Sequence, residues 1–553
     1  MDILVFSIIT NFVYYSTGYI FLSQTKLNNN SVFLNFFIGA IILSFIGLLL
    51  NFFIPLSPQI NSLIYVLIII IFLLKNKLNF DANILIFLII ASLITFFLLI
   101  KSNVNRPDAG LYHLPYISLL NENKIIFGLS NIHFRFSHVS IMQYLSAMNN
   151  NFLFFENGVS IPLASLVSFF YVYFFYDVWK VFRNREYPDI SKFFSLFILI
   201  YISYKINRYS GFGNDAVGHL SYFYLISYIL KNNLEKINFD KVLLISVFIF
   251  INKPMLGLVF FIPLILFFIK NNFKFIKILN PIFSLPTLLL CLWLIKNIIT
   301  SGCVVFPIKT LCIEKLPWTN IQRISEAQLE GEAWSKAWPD KIEKNISMEE
   351  FNKDFNWVKA WSKKHLKYIL NIIIPYTIVL SFIIFYVKYR FKNSIIVKDK
   401  DLKIRLALCV VTSLMGTIAF FYIFPIYRYG YSYIISLITL LFLLMIRNIL
   451  NIKKNIFVFK FFFIICFAVV ITKQIQRISI NNTNNLWPNI YTLDIKKNVM
   501  SKRKINIENN FYYYLANKGD QLCMYSRSPC TTYKITDNIK HIKKYSYSVL
   551  ILD

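Results

Sequence analysis

Long runs of apolar residues recur along most of the chain and alternate with short polar connections. A bilayer core about 30 Å thick requires roughly 20 apolar residues in a helix, and many of the runs reach or approach that length. The pattern predicts fourteen transmembrane or re-entrant helices, near residues 2–22, 32–54, 59–74, 82–100, 158–179, 192–205, 216–230, 242–252, 255–269, 278–296, 369–387, 404–424, 430–446 and 456–472. The first run lacks a basic leading segment and a small-residue cleavage site, so we expect a retained helix.

Two long polar stretches, 101–157 and 297–368, interrupt the apolar pattern. Within the first stretch, residues 111–121 and 139–148 are moderately amphipathic, which predicts two short helices lying on the membrane surface. The second stretch is rich in tryptophan, with Trp318, Trp334, Trp338, Trp357 and Trp361. Such rings could stack on sugar faces in an acceptor cleft, and an aromatic belt at the membrane interface is the alternative explanation.

The pattern changes again after residue 472. The tail contains strand-like patches at 521–526 and 545–552 and a helix-like run, FYYYLA, at 511–516. The sequence therefore predicts an all-α polytopic membrane domain over 1–472, followed by a small α/β domain over 473–553.

Composition agrees with a membrane protein, because 57% of the residues are hydrophobic and only 15% are charged. A net charge of +30 would suggest a nucleic-acid partner in a soluble protein. Most lysines and arginines, however, fall in alternate short connections, which is typical of cytoplasmic loops. These basic connections lie near residues 75–77, 180–192, 231–241, 270–277, 388–405 and 447–454. Part of the positive charge is also expected to face membrane lipid, a further partner, and a basic tail adds to it. The nucleic-acid interpretation is therefore excluded, and both termini and both long loops are expected on the extracytoplasmic side.

The stretch 242–269 could be one long helix or a hairpin. Its flanks, 231–241 and 270–277, are both strongly basic, and a single crossing would place one of them outside. We therefore predict a hairpin that bends at Asn252-Lys253-Pro254.

Four of the seven cysteines lie in outer segments at short spacings. Cys303 precedes Cys312, and Cys523 precedes Cys530. Paired cysteines on one side indicate an oxidising compartment and two local disulfides. A zinc site is the competing interpretation, but neither pair has the usual spacing of zinc ligands.

Candidate chemistry begins in the first long loop, directly after the fourth predicted helix. In RPDAGLYHLPY, at 106–116, Asp108 precedes Tyr112 and His113 by about one helical turn, so the three could share a face. A partly shielded carboxylate there could deprotonate an acceptor hydroxyl. The alternative is that Asp108 caps a surface helix.

Two further outer segments carry isolated ionisable residues. Asp215 lies four residues before His219, which suits a metal-binding or acceptor-binding pair, although a capping Asp and an interfacial His would look the same. Lys253, Lys296 and Arg428 are single cations at outer helix ends. They could bind a phosphate or pyrophosphate group, and snorkelling to the interface is the alternative.

Six short motifs in this order resemble the GT-C class of integral-membrane glycosyltransferases and, more narrowly, a group of bacterial polytopic proteins classed as a domain of unknown function with GT-C-like features. They are DAGLYH at 108–113, IHFRF at 132–136, INKP at 251–254, KNIITSGCVVFP at 296–307, RYG at 428–430 and CMYSRSPC at 523–530. The resemblance covers nearly the whole chain.

The resemblance implies sugar transfer from a polyprenyl-phosphate donor to a lipid-linked or glycan acceptor, on the outer side of a bacterial cytoplasmic membrane, in surface glycan or glycolipid assembly. It implies Asp108 as the catalytic base, and we expect His113 to be catalytic with it. The residues expected to bind substrate are Arg106, Tyr112, His133, Arg135, His138, Asp215, His219, Lys253, Lys296 and Arg428.

The chain departs from the GT-C pattern at one position. Many relatives have two adjacent acids where this chain has Asp108 followed by Ala109. That difference favours a metal-free inverting displacement without a cofactor over a divalent metal held by Asp108, Asp215 and His219.

Two other functions fit the same pattern. An O-antigen polymerase or ligase also has many spans and one large outer loop, and relies mainly on outer arginines and histidines. A transporter of lipid-linked glycans would require polar residues deep in the spans, whereas here they gather at the outer ends.

Overall fold

The protein is a multi-pass bundle of helices with a few strands at its C-terminal end. The computed structural model describes residues 2–24, 31–76, 82–102, 108–184, 188–210, 212–213, 215–270, 284–390, 399–446, 456–480, 502–507, 511–516, 522–532, 534–535 and 539–552. Within these residues, ten helical stretches are long and apolar enough to cross a membrane. The chain is therefore a multi-pass membrane protein.

Each of the fourteen predicted apolar segments overlaps a helix. The helices that correspond to them are α1 Asp2–Ser23, α2 Val32–Asn51, α3 Pro58–Asn76, α4 Ala82–Leu99, α7 Ile161–Arg183, α8 Ile190–Lys205, α9 Asp215–Lys231, α10 Phe239–Asn252, α11 Phe261–Lys270, α12 Ser284–Ser301, α16 Lys367–Arg390, α17 Lys400–Ile423, α18 Tyr427–Leu444 and α19 Ile456–Ser479. The start of the predicted segment 278–296 lies outside the described residues, as do parts of several basic connections.

The remaining helices belong to the two long loops. They are α5 Leu114–Glu122 and α6 Ile141–Met148 in the first loop, and α13 Ile321–Ser335, α14 Met348–Asn352 and α15 Val358–Trp361 in the second.

Helices α1 and α2 pack more closely than any large side chain would permit. A Cβ atom on Gly18 would lie 1.7 Å from the carbonyl oxygen of Asn35, and one on Gly39 would lie 1.8 Å from that of Tyr14. Small residues allow such close backbone contact between membrane helices. Helix α2 in turn packs against α6 of the first loop.

The hairpin predicted at residues 242–269 is confirmed. Helix α10 ends at Asn252, a 3₁₀ segment runs over Pro254–Phe260, and α11 then returns along α10. The Phe267 ring near the end of α11 lies 5.9 Å from the Phe239 ring at the start of α10. Lys253 therefore lies at the tip of the hairpin.

The two short helices of the first loop exist, but the prediction that they lie on the membrane surface is wrong. Every side chain of α6 is buried, and α5 is buried except at Glu122. Their polar groups have protein partners: the Asn121 amide donates to the carbonyls of Leu56 and Ala147. Because no face is left for lipid or water, these helices form a layer of the protein interior.

Helix α19 continues to Ser479, past the predicted boundary at 472, and the described residues after it contain strands and no helix. A three-stranded sheet has the order β1 Lys502–Asn506, β2 Tyr512–Ala516 and β3 Cys530–Thr531, and β4 Ile539–Lys544 pairs with β5 Tyr547–Leu552. The predicted strand at 545–552 is thus confirmed. The helix-like FYYYLA is wrong, since tyrosine-rich runs favour strands and this one pairs antiparallel with β1. The predicted strand at 521–526 is irregular over its described part.

The tail packs on the first loop. Phe127 bridges to Val549 of β5, and the Met524 amide donates to the Gly110 carbonyl at 2.9 Å. Tyr525 exchanges hydrogen bonds with Asn121 and Asn150. Both predicted disulfides are present, Cys303–Cys312 and Cys523–Cys530.

The five tryptophans of the second loop do not form one stacking surface. Trp357 and Trp361 are buried, and the Trp361 indole donates to the Pro425 carbonyl. The Trp318 indole donates to the Ile298 carbonyl. Trp334 is the member of this set with a largely exposed ring. Trp318 and Trp361 thus attach the second loop to α12 and to the connection between α17 and α18.

Candidate functional site

The candidate site is centred on Asp108, which precedes a short π-helix, Ala109–His113, leading into α5. The Asp108 side chain makes no capping hydrogen bond to this helix, so the capping explanation is wrong. Its carboxylate instead contacts two arginines from distant parts of the chain and keeps 28% of its surface exposed.

The stronger of these contacts comes from α18. The Arg428 guanidinium donates to Asp108 Oδ2 at 2.9 Å, and a second nitrogen donates to the Tyr429 hydroxyl at 3.1 Å. Arg428 is the second residue of α18, a helix that begins directly after the extended residue Ile426. A guanidinium there combines a fixed donor geometry with a charge that is always present.

The second arginine comes from the first loop itself. Arg135 Nη1 lies 3.4 Å from Asp108 Oδ1, and its guanidinium lies 5.6 Å from the centre of the Tyr112 ring. We call Asp108, Arg135 and Arg428 the Asp108 cluster. Both arginine side chains are more than a third exposed, so the cluster is accessible from outside the protein.

A second ion pair adjoins the cluster. Lys253, at the tip of the α10–α11 hairpin, pairs with Asp215, the first residue of α9. The Lys253 ammonium also lies 4.2 Å from the centre of the Tyr429 ring, which Arg428 contacts from 5.0 Å. Tyr429 therefore connects two cations that are far apart in sequence.

His113 is buried beside Tyr112, with the two ring centres 4.1 Å apart. Gln143 Oε1 accepts from the Ser140 amide and hydroxyl, so its Nε2 must donate to His113 Nδ1, at 2.6 Å. The proton of the neutral ring therefore resides on Nε2. Burial lowers the pKa of His113 to about 4, and the charges of Asp108 and other neighbours make smaller contributions. The ring is buried and its Nδ1 is used on Gln143, so His113 is not exposed to a substrate as the predicted second catalytic group would be.

His219 is also committed to the protein. Its Nε2 lies 2.9 Å from the Arg428 carbonyl, which can only accept, so Nε2 carries the proton and Nδ1 accepts from the Ser432 hydroxyl. The ring is fully buried. The predicted substrate contact of His219 is thus replaced by a hydrogen bond that fixes the backbone of Arg428.

The two remaining loop histidines differ in exposure. His133 is buried, and its Nδ1 accepts from the Arg135 amide, which holds the segment that carries Arg135. Burial, with a smaller effect from Arg135 and His138, lowers the pKa of His133 to about 3. His138 is exposed and packs edge-on against Phe306 at 5.1 Å. Of the two, His138 is the one that a ligand could reach.

Lys296 does not belong to the outer surface, contrary to the sequence prediction. Its side chain is fully buried, and its ammonium donates to Asn297 Oδ1 at 2.8 Å. Arg106, also predicted to bind substrate, lies outside the described residues.

Comparison with known protein families gives one match. A family described as a domain of unknown function (DUF8201) matches residues 1–435. The chain belongs to the DUF8201 family. The matched region extends from α1 into α18 and includes the Asp108 cluster, Lys253 and Asp215. No curated protein and no solved structure matches the chain.

Within the described part of this DUF8201 protein, no three histidine, cysteine or acidic side chains converge on one point that could hold a metal ion. The predicted alternative set is not assembled: Asp108 binds arginines, Asp215 binds Lys253, and His219 uses both ring nitrogens on protein groups.

The sequence predicted the main charged residues of this DUF8201 site but missed the groups that position them. These groups are Tyr429, whose hydroxyl accepts from Arg428, and Gln143, whose amide donates to His113. Tyr429 lies inside the RYG motif next to Arg428, so the motif itself was a usable signal. Gln143 follows the N-cap residue Ser140 by three positions, the spacing of a capping box, and could have been recognised from it.

The arrangement combines one accessible carboxylate with three cations in a limited space. The carboxylate can accept a proton from a hydroxyl. The guanidiniums of Arg135 and Arg428 and the ammonium of Lys253 can stabilise oxyanions. Acid and cations of this kind suit displacement of a phosphate leaving group by a hydroxyl nucleophile.

Proposed function

We propose that the protein is a glycosyltransferase that uses a polyprenyl-phosphate-linked sugar on the outer side of the cytoplasmic membrane, in surface glycan or glycolipid assembly. The observation that carries the proposal is the Asp108 cluster: a partly exposed carboxylate held between two partly exposed arginines. The partners are the lipid-linked donor and a lipid-linked or glycan acceptor.

The contact between Asp108 and Arg428 suggests how substrate enters the reaction. In the structure each carboxylate oxygen of Asp108 contacts a guanidinium, Oδ1 that of Arg135 and Oδ2 that of Arg428. A phosphate is a better partner for Arg428 than a single carboxylate, since it offers more charge and more acceptor oxygens. Donor binding would draw Arg428 away and leave Asp108 free to accept a proton.

The chemical step requires only these residues and the two substrates. The acceptor hydroxyl transfers its proton to the Asp108 carboxylate as its oxygen bonds to the anomeric carbon of the sugar. The bond from that carbon to the phosphate oxygen breaks, and the departing phosphate carries the electron pair. Arg428, Arg135 and Lys253 stabilise its charge, as preorganised cations do for developing oxyanions. The sugar configuration inverts.

The direct test is Asp108→Asn in membranes that contain donor lipid and acceptor. Loss of a general base lowers the rate by roughly 10²- to 10⁴-fold. Asp340→Asn is the matched control, because Asp340 also forms an ion pair, with Lys364, but on an exposed part of the second loop. Full glycan transfer by Asp108→Asn would show that the proposed base is wrong.

An O-antigen polymerase or ligase remains the second candidate, since Arg135 and the exposed His138 lie at the same site. It predicts that Arg135→Gln and His138→Asn abolish product formation while Asp108→Asn is tolerated. A transporter of lipid-linked glycans predicts that none of these membranes forms a new glycosidic bond.

A further inference from the structure

A second group of cations lies at one edge of the helix bundle. Lys205 ends α8, Arg208 follows it in a 3₁₀ segment, and Lys473 lies near the end of α19. The exposed rings of Tyr204 and Tyr368 lie among them. We call these five residues the rim patch.

The three cations converge on the two tyrosines. Lys473 lies 4.5 Å and Lys205 5.6 Å from the centre of the Tyr204 ring. Lys205 also lies 5.4 Å from the centre of the Tyr368 ring, whose hydroxyl accepts from Arg208 at 3.1 Å. Positive charges that need only reach water would spread apart, because like charges repel.

The rim patch has no carboxylate to balance it among the described residues. Lys205 makes no hydrogen bond or ion pair there, Lys473 donates to the Tyr204 carbonyl, and Arg208 donates to Tyr368. Asp215 acts on Arg208 electrostatically but is already paired with Lys253. Most of the donors of these cations are therefore available to an external anion.

Apolar side chains adjoin the patch on the outside of the bundle. Ile471 and Ile475 of α19 are exposed, as are Leu370 and Ile374 of α16. Exposed apolar residues below cations and tyrosines are typical of the boundary between lipid tails and headgroups. From this arrangement we expect the patch at the depth of the phosphates of a bilayer.

We propose that the rim patch binds the phosphate of an anionic membrane phospholipid. The phosphate lies between Lys205, Arg208 and Lys473, with its acyl chains along α16 and α19. The patch shares no residue with the Asp108 cluster, and lipid binding there does not depend on glycosyl transfer.

The test titrates the purified full chain in detergent with phosphatidylglycerol and, separately, with phosphatidylcholine, and counts bound lipid by native mass spectrometry. The protein should retain phosphatidylglycerol preferentially. The triple variant K205Q/R208Q/K473Q should lose affinity for it on the order of 100-fold, given the attraction of each cation for anionic lipid.

A matched variant, K309Q/K315Q/K344Q, removes the same charge from exposed positions of the second loop and should bind as the wild type does. The variant K205R/K473R keeps the charge and should retain binding. If the triple variant does not fold, Lys205→Gln alone removes no hydrogen bond between described residues and should weaken binding about 5-fold.

Three results would overturn the proposal. The triple variant could bind phosphatidylglycerol as tightly as the wild type, or the matched variant could lose binding equally. Inorganic phosphate could displace the lipid at equal concentration, which would assign the patch to a free phosphate compound rather than a headgroup.

Discussion

Two aspartates in this protein each lie between two cations, yet one arrangement is open and the other closed. Each carboxylate oxygen of Asp108 contacts a single arginine, and 28% of the side chain is exposed. The side chain of Asp177 is 4% exposed: Lys192 and Lys231 both contact its Oδ1, and the Ser195 hydroxyl donates to its Oδ2. The same charges thus form an incomplete cluster in one place and a complete one in the other.

The two clusters lie near opposite ends of α9, since Lys231 is its last residue and Asp215, beside the Asp108 cluster, is its first. A buried ion cluster is stable only when its hydrogen bonds are satisfied. The Asp177 cluster meets that condition and joins α7, α8 and α9. The Asp108 cluster leaves donors and acceptors accessible, which is a property of a site that must exchange partners.

The largest expected difference concerns stability. Asp177→Asn leaves two cations without their charge partner, and removing one member of a buried pair costs about 3–5 kcal/mol. Asp108→Asn removes a partly exposed pair and should cost less than about 1 kcal/mol. Labelling of the buried thiols of Cys409 and Cys466 during denaturation measures both. Equal losses of stability would contradict the distinction between the clusters.

The sequence predicts the helices that carry the Asp177 cluster better than it predicts the contacts of the Asp108 cluster. Helices α7, α8 and α9 follow from hydrophobic length alone. The contact between Asp108 and Arg428 spans 320 positions and has no local signal. Lys296 was misplaced because a lone lysine near a helix end has the same pattern whether it snorkels or is buried. Periodicity also could not show that α5 and α6 are covered by α2 and by the tail.

A second prediction concerns the pH dependence of stability, because two buried neutral histidines, His113 and His133, lie next to the Asp108 cluster. Burial lowers the pKa of His113 to about 4, Lys253 and Arg428 act in the same direction, and Asp108 and Asp215 oppose it. As pH falls from about 6.5 towards 4, the unfolded chain gains a proton that the folded protein resists, so stability falls by about 3 kcal/mol.

The variant His113→Asn retains an acceptor for Gln143 and should flatten this loss, as measured by unfolding at several pH values. Adding His133→Asn should flatten it further, since the pKa of His133 is lowered to about 3, chiefly by burial. An unchanged pH dependence in the double variant would contradict the buried neutral state of both rings.

A third prediction exchanges the type of cation. Arg428→Lys keeps the charge but lacks the planar fork with which Arg428 contacts Asp108 and the Tyr429 hydroxyl here and would bind the donor phosphate during the reaction. Charge-assisted hydrogen bonds contribute about 1.5–3 kcal/mol, so transfer should fall about 10- to 100-fold. Lys231→Arg in the closed cluster is the matched exchange and should leave transfer per folded molecule unchanged. Equal activity of Arg428→Lys and the wild type would show that only the charge matters.

The smallest expected effect tests whether the tail holds the open cluster in place. The Tyr525 hydroxyl donates to Asn121 Oδ1 and accepts from the Asn150 amide, and the neighbouring Met524 amide binds the Gly110 carbonyl two residues after Asp108. Tyr525→Phe removes both side-chain bonds and should cost about 1–2 kcal/mol. Because the tail contacts the π-helix that follows the proposed base, we expect transfer to fall together with stability, whereas the Asp177 cluster at the far end of α9 should be unaffected.

Tyr512→Phe is the control, because the Tyr512 hydroxyl makes no hydrogen bond to the first loop among the described residues. A Tyr525→Phe protein with lowered stability and unchanged transfer would show that the tail stabilises the fold without positioning Asp108.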